Sequence, residues 1–172
     1  MEPRIDASKI DPKAMHAMLG LEHYSHESGL EAPLLELVKM RASQINGCAY
    51  CLDMHSKDAR AAGETEQRLY VLNAWREAPF YSDRERAALA WTEAVTLISK
   101  DGVSDELYAA AREQFSENEL VALTIAIVTI NGWNRLAISL RGYEIGSYQP
   151  RSRAVFSGEH ADAHADSAAA AR

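Results

Sequence analysis

The chain has 172 residues, of which 47% are hydrophobic and 25% are charged, and its formal net charge is -7. This balance is typical of one folded globular domain and excludes a chain that is disordered throughout. Lysine and arginine residues are scattered along the sequence. Because phosphate backbones and anionic membranes bind to concentrated positive charge, we expect neither a nucleic acid nor a membrane as a partner.

The N-terminal residues do not follow the pattern of a signal peptide, since charged side chains interrupt the few apolar ones. The longest apolar stretch, LVALTIAIVTI at 120–130, is shorter than the roughly 20 residues that cross a bilayer. We therefore expect a cytoplasmic protein. In a reducing compartment, two neighbouring cysteines are more typical of redox catalysis, redox sensing or metal binding than of a permanent disulfide.

Helix-start and helix-stop signals divide the first part of the chain into three predicted helices. An aspartate-proline pair opens the first, a proline opens the second, and Asn-Gly and Ala-Gly pairs end the second and third. In chain order these signals are Asp11-Pro12, Pro33, Asn46-Gly47 and Ala62-Gly63.

The remainder of the chain carries four more helix starts. Thr65 is expected to cap a helix that continues through Trp75, and Ser104 is expected to cap another short one. Capping boxes are predicted at 82–85 and 116–119, the second directly before the most apolar segment. Period-2 strand patterns are missing, and the β-branched run in 124–130 fits a buried helix. The predicted fold class is all-α, a compact helical bundle.

We predict one helical domain at 1–148 and an Ala/His/Asp-rich tail at 149–172, whose last residues lack large apolar side chains. His160 and His164 in this tail have the i,i+4 spacing of metal ligands on a helix. A solvated tail is the simpler interpretation, and we expect no bound metal.

Two segments of the sequence are similar and echo each other, INGCAYC at 45–51 and INGWNRL at 130–136, both of which begin with Ile-Asn-Gly. Both segments predict an Asn-Gly break between two helices. Duplication of a two-helix unit and chance both remain compatible with so few matched residues.

The segment QINGCAYCLDMH at 44–55 contains both cysteines of the chain. The Asn-Gly break places Cys48 at the first turn of a helix, where free N–H groups and the helix dipole stabilise a thiolate. Cys51 lies one turn later and His55 one turn after that, so that the three side chains share one helical face. Two thiols beside a base are an arrangement suited to redox chemistry.

Three other interpretations of these residues remain open. A zinc site would use the same three side chains but lacks an evident fourth ligand. The cysteines alternatively serve as two small buried apolar residues, and His55 as an ordinary surface histidine. A thioredoxin-like exchange motif normally follows a strand, and none is predicted here.

Glu36 precedes Cys48 by 12 residues on the preceding predicted helix. Because the break between the two helices is short, its carboxylate can face the thiols and accept a proton directly, through His55 or through water. The alternative is an ordinary salt bridge to Lys39 or Arg41.

The resulting E-x11-C-x2-C-x3-H arrangement resembles the AhpD-like alkylhydroperoxidase branch of the carboxymuconolactone decarboxylase family. The similarity spans roughly 33–97, and INGWNRLA at 130–137 is similar as well. The resemblance implies an all-helical subunit that forms trimers or hexamers and reduces peroxides with its cysteine pair. The four residues of the arrangement are Glu36, Cys48, Cys51 and His55.

Within this resemblance Cys51 corresponds to the peroxidatic cysteine and Cys48 to the resolving one. Glu36 and His55 correspond to proton-relay residues. The helix dipole alone would instead favour Cys48 as the attacking thiol. The founding subgroup commonly has a histidine at the position of Tyr50, and a phenol is a poorer base at neutral pH.

The expected function is that of a thiol peroxidase, with a small hydroperoxide as substrate, an external dithiol as reductant and no cofactor. A redox sensor or interaction module would use the same cysteines without turnover. A lactone or β-keto-acid decarboxylase of the same family would not need the cysteine pair. Because the segment at 120–130 is apolar on every side, we also expect a homo-oligomer.

Large aromatic side chains are candidate ligand contacts, although aromatic residues at helical spacing more commonly lie in the core. The candidates are Tyr50, Trp75, Trp91 and Trp133.

Overall fold

The computed structural model describes residues 2–150, so that most of the expected tail, with His160 and His164, lies outside the described residues. No β-strand occurs between residues 2 and 150, and the predicted all-α fold is confirmed. A 3-10 turn, Leu72–Ala74, follows the fifth helix. The α-helices are α1 (Ala7–Ile10), α2 (Pro12–Glu27), α3 (Ala32–Asn46), α4 (Ala49–Ala61), α5 (Glu66–Tyr70), α6 (Asp83–Thr96), α7 (Ile98–Asp101), α8 (Asp105–Gln114) and α9 (Glu117–Leu140).

The capping signals in the sequence correspond to observed helix ends. Both predicted capping boxes form, at the starts of α6 and α9. Gly47 ends α3 in the left-handed region with φ 69°, a conformation that glycine adopts without steric cost. The prediction for Thr65 was wrong in length, because α5 ends at Tyr70 and the 3-10 turn follows. Trp75, just after that turn, instead buries its ring and donates its indole N–H to Glu93 at 2.8 Å.

The second Asn-Gly pair does not end a helix, which corrects the prediction from the sequence echo. α9 continues through Asn131 and Gly132 without interruption. A Cβ atom at Gly132 would lie 2.9 Å from the terminal methyl of Met18 on α2. Gly132 thus lies at the contact between α2 and α9, a neighbour that the dipeptide alone does not reveal.

The two echoing segments meet in space. The amide nitrogen of Asn46 donates to the side-chain oxygens of Asn131 at 2.9 Å and Asn134 at 2.8 Å. Asn134 is fully buried and donates in turn to Ser43 at 3.0 Å. These hydrogen bonds fix the end of α3 against α9, and with it the position at which α4 begins.

α3 is the central helix, packing against α4, α6 and α9. One apolar cluster lies between α3, α6, α8 and α9, and a second between α3, α4, α5, the 3-10 turn and α6. Trp91 belongs to the first cluster and Trp75 to the second. These two tryptophans are therefore core residues.

α9 is the helix of residues 2–150 whose length and composition would suffice to cross a membrane. Here it packs against α2, α3, α4, α6 and α8, as the core helix of a bundle does. Its outer side still exposes Val121 and Val128, at 59% and 49% of their surface.

Candidate thiol redox site

The two cysteines mark the start of α4. Cys48 is the N-cap residue, and its sulfur accepts the backbone N–H of Cys51 at 3.4 Å. The two Cα atoms are 5.4 Å apart and the sulfur atoms are joined in a disulfide. The cysteines are almost fully buried, at 1% and 2% exposure. The helical spacing in the sequence thus places two sulfurs within bonding distance.

His55 lies one helical turn beyond Cys51 and is buried. Its Nδ1 atom is 2.9 Å from the carboxylate oxygen Oε2 of Glu36 on α3. A carboxylate on one ring nitrogen fixes the orientation of an imidazole and leaves the other nitrogen for proton exchange. The structure therefore joins the four residues as two pairs, Cys48 with Cys51 at the start of α4 and His55 with Glu36 one turn further along it.

Glu36 also approaches one of the two cations considered as salt-bridge partners. Lys39 Nζ lies 3.7 Å from Glu36 Oε1, whereas Arg41 binds Glu93 at 2.8 Å. Burial raises the pKa of Glu36, but the charge and hydrogen bond of His55, together with the charge of Lys39, outweigh this effect. The pKa of Glu36 thus lies below its ordinary value, and the group is a carboxylate at neutral pH.

Glu22 on α2 joins the same group of charged side chains, although nothing in the sequence marked it. Its Oε1 lies 2.5 Å from Lys39 Nζ and 3.1 Å from Nε2 of His26. Lys39 is only 2% exposed. The i,i+3 spacing of Glu36 and Lys39 was visible in the sequence, but nothing there indicated that α2 packs beside them.

Asp58 is a second carboxylate beside the His55–Glu36 pair, and one donor atom of each of the three lies within 4.8 Å of the others. Burial and the negative charge of Glu36 raise the pKa of Asp58 above its ordinary value, although the hydroxyl of Tyr148 partly opposes this. By donor type these three side chains suit a divalent cation. Two of the three already have other partners, since Lys39 lies 3.7 Å from Glu36 and Tyr148 donates to Asp58 at 2.7 Å.

Apolar and aromatic side chains surround the disulfide, including Ile130, Trp133 and Tyr50. The ring of Tyr50 stacks on Tyr143, with centroids 4.8 Å apart and an interplanar angle of 20°. Burial, followed by the neighbouring Tyr143, raises the pKa of Tyr50 above its usual value. The phenol is therefore protonated at neutral pH and a poor base.

The helical fold and the disulfide at the start of α4 define a protein of the AhpD-like class. The profile of the carboxymuconolactone decarboxylase family matches residues 12–94. Uncharacterized protein YdfG of Bacillus subtilis (strain 168) is 46% identical over 140 residues, which are 81% of this chain and 95% of that protein. The chain belongs to the carboxymuconolactone decarboxylase family, in its AhpD-like branch.

Two solved structures show how far this similarity extends. A protein of unknown function from Agrobacterium tumefaciens, provisionally described as the antioxidant defence protein AhpD, has a TM-score of 0.80 and 43% identity, covering 88% of this chain and all of that one. A variant of the debrominase Bmp8 with bound 2,3,4-tribromopyrrole has a TM-score of 0.72 and 20% identity, covering 81% of this chain and 74% of that one. The second comparison shows the fold alone.

Proposed function

We propose that the protein is a thiol-dependent peroxidase that reduces alkyl hydroperoxides or hydrogen peroxide through the Cys48/Cys51 pair. The observation that carries this proposal is the disulfide at the start of α4, followed one turn later by His55 paired with Glu36. Membership of the AhpD-like branch supports it. The pair holds two electrons that a peroxide can accept and that an external dithiol can return.

In the first step the thiolate of Cys51 attacks one peroxide oxygen and breaks the O–O bond. Cys51 becomes a sulfenic acid, and the departing alkoxide or hydroxide takes up a proton to leave as alcohol or water. The Cys48 thiol then attacks the sulfenic sulfur, forming the disulfide and releasing water. An external dithiol reduces the disulfide by exchange and is itself oxidised to a disulfide.

His55 and Glu36 manage the protons of this cycle. His55 takes the proton from the Cys51 thiol and returns it to the departing oxygen. Glu36, held as a carboxylate, orients the ring and stabilises its positive charge while it carries that proton. Asp58, close to both side chains, adds a second negative charge beside the protonated imidazole.

The surroundings of the sulfurs indicate a small substrate. Both cysteines are buried behind Tyr50 and Trp133, and the cluster around them is apolar. A small hydroperoxide with a short apolar group fits these apolar surroundings better than a large or charged one does.

Turnover of peroxide with several dithiol reductants tests the proposal. Cys51→Ser should abolish peroxide-dependent consumption of reductant, and mass spectrometry after one equivalent of hydroperoxide should show the two sulfurs of the parent protein joined. Full turnover by Cys51→Ser would overturn the assignment. A single stoichiometric oxidation without cycling would identify a redox sensor instead. A decarboxylation that survives the double serine variant would identify the other family activity.

We also propose that the chain forms a homo-oligomer. Val121 and Val128 lie on the outer side of α9, away from the core, and are 59% and 49% exposed in the single chain. Burying them against another copy removes apolar surface from water. Sedimentation that gives a monomer at micromolar concentration would contradict this proposal.

A further inference from the structure

The cycle proposed above leaves one buried cation without a role. The Lys39 ammonium is fully enclosed, 2.5 Å from Glu22 Oε1 and 3.7 Å from Glu36 Oε1. A buried charge is costly unless it is paired, and here two carboxylates share one ammonium. The arrangement therefore calls for an explanation beyond packing.

Glu22 is held from several sides. Its Oε2 accepts the indole N–H of Trp133 at 3.2 Å, and its Oε1 lies 3.1 Å from His26. Trp133 also packs against the cysteine pair. The carboxylate of Glu22 is thus tied to α2, α3 and α9 at once, and Lys39 is bound to a fixed partner.

Glu36 divides its two oxygens between different partners. Oε1 faces Lys39, whereas Oε2 binds His55 at 2.9 Å. Because Glu22 holds the ammonium closer to itself, Lys39 balances the charge of Glu36 from the far side and leaves Oε2 to the imidazole. Without Glu22, the same ammonium would be free to bind Glu36 more tightly and compete with His55.

We propose that Lys39, held by Glu22, is a positioning residue that keeps Glu36 directed at His55 and thereby sets the protonation of the Cys51 thiol. This inference deepens the proposed function and rests on it for its meaning in catalysis. Burial lowers the pKa of Lys39, but Glu22 and Glu36 outweigh burial and raise it, which agrees with a permanent cation at this position.

The titratable groups around this lysine come from three helices. α2 contributes Glu22 and His26, and α3 contributes Glu36. From α4, His55 faces Glu36, and Asp58 acts on Lys39 through its charge. Lys39 is the permanent cation of this group, so that its removal leaves three carboxylates with no fixed positive charge beside the thiol site.

The pH dependence of Cys51 alkylation in the reduced protein tests the inference. Measured in a Cys48→Ser background, the label reports a single thiol and requires no peroxide. In Lys39→Met, the uncompensated carboxylates oppose formation of the thiolate, and the midpoint of the profile should move to higher pH by about one unit. Lys39→Arg keeps the positive charge, so its midpoint should lie close to that of the parent.

Arg41→Met is the matched control, because it removes a partly buried cation of the same helix that binds Glu93 and Gln44 rather than Glu22 or Glu36. Its midpoint should equal that of the parent. Equal midpoints in the parent and in folded Lys39→Met, or a shift of the same size in Arg41→Met, would overturn the inference. Circular dichroism establishes folding for each variant.

Glu22→Gln supplies a second test in case Lys39→Met does not fold. With Glu22 neutral, Lys39 should move onto Glu36, and the hydrogen-bonded Nδ1 proton of His55 should shift upfield in the NMR spectrum. An unchanged resonance would contradict the proposed role of Glu22. Neither readout uses peroxide, so both results can be obtained even if the protein proves not to be a peroxidase. Conversely, if Lys39 proves not to affect Cys51, the measured peroxide turnover would be unchanged by that result.

Discussion

Nδ1 of His55 lies 2.9 Å from Oε2 of Glu36, although 19 residues and a helix break separate them in the chain. The contact joins α3 to α4, the helix that begins at the disulfide. It fixes the orientation of the buried His55 ring, one helical turn after Cys51.

Replacing Glu36 by glutamine tests how much this contact contributes to the rate at which Cys51 reacts with peroxide. Glutamine keeps the size of the side chain but removes the charge beside His55, so that Cys51 should react with peroxide more slowly by on the order of 100-fold. Stopped-flow measurement of the oxidation of the reduced protein gives this rate. Glu93→Gln, at a carboxylate that binds Arg41 and Trp75 instead, is the control and should react like the parent.

Replacing Tyr50 by phenylalanine should leave the pH profile of Cys51 alkylation unchanged. The pKa of this phenol lies above 10.0 because of burial and of the neighbouring Tyr143, so the group gains or loses no proton near neutral pH. The ring remains to stack on Tyr143. A displaced profile in Tyr50→Phe would place the hydroxyl in the proton relay.

The buried carboxylates predict a loss of stability in acid. Burial raises the pKa of Glu22, but the hydrogen bonds and charges of His26 and Lys39 outweigh it and hold the pKa far below the ordinary 4.5. The unfolded chain therefore binds more protons than the folded one as the pH falls through 4.5 and below. Stability present above this value is lost on further acidification.

Urea unfolding at pH 6, 5, 4 and 3 should show this dependence. Glu22→Gln removes the titrating group, so its free energy of unfolding should start lower at pH 6 and approach that of the parent at pH 3. Parallel curves for the two proteins would mean that Glu22 does not contribute to the acid transition.

Two glycines allow the effect of backbone conformation on stability to be measured without a steric clash. A Cβ atom at Gly47 or at Gly20 would meet no heavy atom within 4 Å. Gly47 has φ 69°, so Gly47→Ala should lower the free energy of unfolding by about 1 kcal/mol. Gly20 lies within α2, so Gly20→Ala should raise it by up to about 1 kcal/mol. Equal effects at the two positions, measured by urea unfolding, would contradict this account.

Features that depend on neighbours in the chain were predictable from the sequence. The caps at Ser82 and Ser116 are set within a few residues, and the structure has them. The close spacing of the two cysteines likewise places their sulfurs within bonding distance. Features that depend on helix packing were not predictable in this way.

The two Asn-Gly pairs show the difference most directly. Asn46-Gly47 ends α3, whereas the same dipeptide at 131–132 lies inside α9, where that helix packs against α2. Glu22 was missed for the same reason, since only the packing of α2 brings it to Lys39.

The sulfur of Cys48 serves both as a hydrogen-bond acceptor that starts a helix and as a partner in the disulfide. Serine is among the residues most favoured at such a position. Exchanging this sulfur for oxygen therefore removes one partner from electron transfer while α4 keeps its first hydrogen bond. Secondary structure and redox capacity, which share a single atom in this protein, can be separated by that substitution.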